Sequence, residues 1–148
     1  MTKEVMVTIS GLQFADDEEQ EAIELVHIGE YYERNGTHYI LFDELFEGIA
    51  QTVKNVIKIK ARSLEVQKRG PVTASLVFEE GRKQRSTYAV PYGSFLVEIC
   101  TTGVRIHQTE DRLEATAAYA LEINGQHCAD CDIRVTVQSR ETFRLQER

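Results

Sequence analysis

The sequence predicts an all-β fold, a closed antiparallel up-and-down barrel of about eight to ten short strands, with a β-sandwich as the alternative. Three observations carry that expectation. Apolar and polar residues alternate with a period of two along most of the chain. Asn35-Gly36 and Asn124-Gly125 each lie between strand-like runs, and Asn-Gly accepts the positive φ angles of a type I′ hairpin turn. No segment keeps a helical period for more than about two turns. A meander this long is expected to close, because open sheet edges invite pairing with other chains.

The elements follow in order. Residues 3–14 begin with Val5, Val7 and Ile9 on one side and Met6, Thr8 and Ser10 on the other, with Gly11 as a bulge. The acidic run 15–21 reads as a solvated loop. Strand patterns at 22–34 and 37–45 flank the first Asn-Gly, with a bend at Gly29. Phe46-Glu47-Gly48 reads as a turn. Residues 52–62 set Val53, Ile57 and Ile59 against Thr52, Lys54, Lys58 and Lys60. Residues 64–68 alternate, Arg69-Gly70-Pro71 ends that run, and 72–78 form the next strand. Residues 79–85 are a charged hairpin loop.

The stretch 88–95 is a structural break. Pro91 lacks a backbone donor and biases Val90 to an extended shape, so Pro91-Tyr92-Gly93 joins or kinks two strands. Strands at 95–101 and 103–107 follow, then a polar loop at 108–112. Residues 113–124 place Leu113, Ala115, Ala117, Tyr119, Leu121 and Ile123 on one face. The last strand is 132–139, and 140–148 is a frayed or helical tail. Residues 1–148 are expected to form a single domain.

The chain resembles the YwiB-like family, small bacterial β-barrels of unknown function related in fold to the calycins and lipocalins. The resemblance rests on Val7-Thr8-Ile9-Ser10-Gly11 with Gln13, Ile23-Glu24-Leu25-Val26 and Gly29-Glu30-Tyr31-Tyr32. It continues through Asn35-Gly36, Tyr39-Ile40, Glu44, Lys58-Ile59 and Arg69-Gly70. Phe78-Glu79-Glu80-Gly81, Pro91-Tyr92-Gly93 and Leu121-Glu122-Ile123-Asn124-Gly125 complete it. The resemblance implies a calycin-like barrel of antiparallel strands and no activity, because no catalytic or ligand residues are established for the family. The segment from Cys128 to Cys131 departs from the family pattern.

Composition narrows the function. A net charge of −7 argues against nucleic acid as a partner, since phosphate binding needs a basic surface. No run approaches the roughly 20 apolar residues of a membrane-spanning helix, and the first residues lack the apolar core of a signal peptide. Cys100, Cys128 and Cys131 are an odd count of thiols, which points to the reducing cytoplasm.

Side-chain clusters supply the candidate sites. His127, Cys128 and Cys131, with Asp130 and Asp132, have the two-residue spacing of a metal site but no second Cys-x-x-Cys to complete four ligands, so the expectation is no metal and no cofactor. Nothing matches a nucleophile elbow, and His27, His38, His107 and His127 are scattered. Asp43, Glu44 and Glu47 cluster near the end of a strand and read as a solvated strand end. Lys54, Lys58 and Lys60 share a strand face, with Arg62, Lys68 and Arg69 after them; if Lys54 and Lys58 point inward, a carboxylate or phosphate could be held inside. Tyr39, Tyr88, Tyr92 and Tyr119 are amphipathic rings suited to lining such a cavity, Tyr92 at its mouth.

The sequence thus predicts a cytoplasmic barrel that binds a small amphipathic or anionic molecule in its interior. The candidate residues are Tyr39, Lys54, Lys58, Arg69, Tyr88, Tyr92 and Tyr119. The alternative is an interaction or structural protein acting as a homodimer or protein-binding module. An enzyme is the least expected class, because no cluster joins a nucleophile, a base and a stabilising group.

Overall fold

Period-two alternation turns one face of each strand toward a shared interior. The computed structural model, which describes residues 3–11, 24–45 and 50–140, wraps ten strands around that interior. They are β1 (Glu4–Ser10), β2 (Glu24–Arg34), β3 (Thr37–Glu44), β4 (Val53–Lys60) and β5 (Ser63–Arg69), then β6 (Ala74–Glu79), β7 (Lys83–Val90), β8 (Gly93–Gln108), β9 (Arg112–Ile123) and β10 (Gln126–Ser139). The expected acidic loop at 15–21, the turn at 46–48 with Glu47, and the tail beyond Arg140 lie outside the described residues.

The strands form one sheet in the order β6-β5-β4-β3-β2-β1-β10-β9-β8-β7, and every ladder in it is antiparallel. β1 sits at its centre, pairing Val7 with His27 of β2 on one side and with Val137 of β10 on the other. The outermost strands, β6 and β7, are consecutive in sequence and bring the sheet round into a nearly closed barrel. Their seam is thin. Thr73 and Ala89 exchange two backbone hydrogen bonds of 2.9 Å, and below them the Val77 amide donates to the Gln84 side-chain Oε1 at 2.7 Å. A glutamine side chain thus takes the place of a strand partner, satisfying an edge donor that burial would penalise.

The interior is filled by side chains. Val5, Val7, Ile40, Ile57, Leu64, Leu76, Phe78, Ile99, Leu113 and Ile133 are all buried, drawn from eight strands. The rings of Phe78 and Tyr119 meet edge to face at 4.9 Å. Each such side chain contributes about 1.5–3 kcal/mol by leaving water, so the middle of the barrel is a packed core.

Both Asn-Gly turns take the expected form: Asn35 and Gly36 have φ of 52° and 80°, Asn124 and Gly125 of 51° and 85°. The sheet differs from the expected pattern in three places. β7 begins at Lys83, so the charged loop is only the turn before it. Residues 95–107 belong to one long strand, β8, because Gly103 marks a bulge rather than a break: the register passes from Thr101↔Tyr119 to Gly103↔Ala118. β10 begins at Gln126, since a bulge between His127 and Ala129 lets this polar segment stay paired with β9.

Because neighbouring strands run oppositely, the carboxyl ends of the odd strands and the amino ends of the even strands meet at one end of the barrel. The connections at 70–73, 91–92 and 124–125 lie there.

Candidate functional site

At that end three inward positions are polar although the residues next to them in the same phase are apolar. Glu44 follows Ile40 and Phe42 on β3, Asn55 lies between Val53 and Ile57 on β4, and Lys68 follows Leu64 and Val66 on β5. Register sets them side by side, with Phe42 opposite Asn55 and Asn55 opposite Lys68. The Lys68 ammonium donates to Glu44 Oε1 and to Asn55 Oδ1, each at 2.8 Å, and Asn55 Nδ2 donates to the same Glu44 oxygen at 3.1 Å. Glu44, Asn55 and Lys68 are 8%, 1% and 7% exposed. Charges this deep persist because each is paired and hydrogen-bonded.

Two further groups face this cluster. His27, opposite Val7 on β2, stacks on Phe42 with ring centroids 4.5 Å apart. Its Nε2 is buried and has no hydrogen-bond partner among the described residues. Burial, with a smaller contribution from the Lys68 charge and against the pull of Glu44, holds the ring below its ordinary 6.5, so it is neutral at pH 7. Tyr88 is half-buried on β7; burial, then the Glu44 charge, pushes its phenol up to about 12. The end of the barrel thus holds a cation, a carboxylate, an amide, a neutral imidazole and a protonated phenol, with apolar wall below them.

The residues singled out from sequence are divided between wall and interior. Tyr88 and Tyr119 face inward; the Tyr119 hydroxyl donates to the Gly11 carbonyl at 3.1 Å. Tyr39 lies on the outer wall, stacked on Tyr32 at 4.8 Å, with Lys58 Nζ 6.0 Å from its ring centre. Lys54 and Arg69 are exposed on the outer wall, opposite each other in register. Lys54 and Lys58 therefore point outward, and the inward cation is Lys68. Tyr92 stands at the β7–β8 turn, 86% exposed.

Cys128 is exposed and Cys131 half-buried beside Tyr119, where burial raises its thiol. His127 Nε2 lies 3.8 Å from Asp130. Among the described residues no three His, Cys, Asp or Glu side chains gather as a metal site.

Glu44 is thus not part of the solvated strand end expected of Asp43, Glu44 and Glu47, and Lys68, not Lys54 or Lys58, is the cation turned inward. The signal for both, and for Asn55, is phase: each interrupts an apolar series at the position where the next apolar residue belongs.

Two clefts of the described surface lie on the outer wall. One of about 740 Å3 runs between β2 and β3, lined by Ile28, Gly29, Glu30, Leu41, Asp43 and Lys54. It opens where the β2–β3 ladder stops, at the pair Glu30↔Leu41. A second, of about 670 Å3, crosses β8, β9, β10 and the end of β1.

A family model described as a domain of unknown function, DUF1934, matches residues 7–135. The chain belongs to the DUF1934 family. The match runs from within β1 to within β10, so the DUF1934 region takes in the Glu44–Asn55–Lys68 cluster. Among solved structures, this DUF1934 chain is similar to the ywiB protein from Bacillus subtilis, with a TM-score of 0.73 and 21% identity over 92% of this chain and 89% of that one. At that identity the likeness is one of fold, and the YwiB-like resemblance read from the residues holds. No curated protein matches the DUF1934 chain.

Proposed function

We propose that this barrel binds a small amphipathic molecule at the end occupied by Glu44, Asn55 and Lys68. The observation that carries the proposal is an ion pair buried where the strand pattern calls for apolar side chains. Buried polar groups add little net stability over a well-packed apolar core, so a role in recognition explains their presence better. The polar head of the ligand would meet Lys68, Asn55 and the buried His27 Nε2, and its apolar part would lie along Phe42. Free thiols at Cys100, Cys128 and Cys131 support a reducing, cytoplasmic setting.

Native mass spectrometry of protein purified from its own host tests this. The expected result is a small-molecule adduct on the natural chain that is absent from a folded Glu44→Gln, Lys68→Met double variant. A bare natural protein, or an adduct that the variant keeps, overturns the proposal.

The outer face of β2 favours a second reading, a homodimer. Val26 and Ile28 project outward side by side and are 48% and 55% exposed, with Tyr32 at 47% beyond Glu30, an apolar pair and a ring of the kind found at interfaces. Sedimentation at micromolar concentration should then show a dimer that Ile28→Glu dissociates, whereas a monomeric natural chain rules this reading out.

A further inference from the structure

A different part of the wall carries an unassigned pair of arginines. Register aligns four residues in one row across four strands: Ser10 of β1, Arg134 of β10, Thr116 of β9 and Arg105 of β8. Both arginines are exposed, and Thr116 stands between them. Two strand spacings separate their backbones by about 10 Å, so both guanidinium groups can close on one small ligand above the Thr116 hydroxyl. Arg82, Arg85 and Arg112 are tied to Glu79, Glu98 and Glu114, whereas Arg105 and Arg134 are the pair that register places on either side of one small residue. Arg105 and Arg134 share a groove, and their side chains have no ion pair or hydrogen bond among the described residues.

The adjacent row makes the space. It consists of Asp132, Ala118 and Gly103. At the β8 bulge the extra residue, Thr102, is held by its hydroxyl donating to the Ala118 carbonyl at 3.3 Å. A side chain added at Gly103 would meet nothing within 4 Å. The result is the cleft of about 670 Å3, floored by small residues and flanked by two forked cations. Asp132 bounds it on one side and disfavours a ligand that extends a second negative group in that direction.

We propose that this groove is a binding site for a phosphate group, free or as a phosphomonoester, clamped between Arg105 and Arg134 with Thr116 donating from below. Guanidinium groups match tetrahedral oxyanions through paired N–H donors, a geometry lysine does not offer. The chain as a whole is acidic, at −7, so the attraction is local and salt-sensitive. The site lies on the outer face of β8–β10, separate from the polar end of the barrel, and does not depend on what binds there.

The test is an amide and arginine side-chain NMR titration with inorganic phosphate at constant ionic strength, with chloride and acetate as controls. The expected result is saturable shifts at Gly103, Thr116 and the two arginine side chains with phosphate, and weaker or absent shifts with the controls. Arg105→Gln and Arg134→Gln should each weaken binding by about tenfold or more with no change in melting temperature. Gly103→Leu, which keeps both arginines, should block the site by filling its floor. Shifts that persist in the double arginine variant, equal shifts with chloride, or no shift at all with phosphate would overturn the proposal. A phosphomonoester that binds more tightly than inorganic phosphate identifies an organic phosphate as the occupant, and equal affinity identifies the free ion.

Discussion

Lys68 and Glu44, 24 residues apart in sequence, meet at 2.8 Å inside the barrel, each less than a tenth exposed. Their energetics are asymmetric. Removing one partner strands a buried charge, whereas replacing both leaves none.

Lys68→Met alone should therefore destabilise the fold by about 3 kcal/mol, while Glu44→Gln with Lys68→Met should cost far less than the sum of the two single changes. Urea unfolding of the four-member cycle measures this. Additive effects would show that the pair is not coupled in the native state.

The legibility of this cluster divides along physical lines. Alternation is local, so Leu64, Val66 and Lys68 reveal a shared face from sequence alone, as do Val53, Asn55 and Ile57. What alternation does not reveal is which face turns inward at a strand end, where apolar residues run out. Asp43 and Glu44 are adjacent acids, yet one is exposed and the other buried, because Glu44 shares the phase of Ile40 and Phe42, and β4 continues beside β3 far enough to cover it. Bulges were opaque for a similar reason. Gly103 has the local chemistry of a turn, and its pairing with Ala118 depends on a strand met later in the chain. The Asn-Gly hairpins were legible because their geometry is contained within two residues.

His27 links stability to pH. Its folded-state affinity for protons is depressed by burial below the ordinary 6.5, so the unfolded chain binds the proton more readily. Stability is unaffected above that value and falls as pH drops through it toward the lower folded pKa. Melting temperatures between about pH 8 and pH 5 should show this slope, and His27→Phe, which keeps an aromatic ring against Phe42, should flatten it. A variant with the natural slope would place the titration elsewhere, among the carboxylates.

Among the described glycines, Gly11 is the position least able to accept a side chain. It has φ of +84°, and a Cβ there would lie 1.8 Å from the Asp132 carbonyl oxygen. Gly11→Ala should cost about 1–3 kcal/mol from backbone conformation alone, with the clash added and the Tyr119 hydrogen bond to this carbonyl displaced. Gly81, at φ +79° with nothing within 4 Å, is the matched control and should lose only the conformational part. Thermal or urea unfolding of the two alanine variants compares them; equal losses would mean that the backbone moves to relieve the clash.

The seam between β6 and β7 should open first. Gln84→Ala leaves the Val77 amide without its acceptor, at a cost of about 1 kcal/mol. Hydrogen exchange at Val77 and Ala89 should accelerate in this variant, while exchange in β1 and β9 stays slow. Uniform acceleration across the sheet would indicate global destabilisation instead.

The place of β1 between β2 and β10 has a consequence for the order of assembly. Val5 pairs with Gly29 and also with Ser139, one partner near in sequence and the other almost a full chain away. During synthesis β1 can join β2 early, but its other edge stays bare until the chain has emerged as far as β10. The meander from β1 to β6 then waits as an open sheet with an unpaired strand that only the last-made strand can cover. Such long-range closure is slow and leaves a sticky edge exposed, so a ribosome stalled before β10 would release not a shorter barrel but nine strands with the edge of β1 bare and prone to aggregate.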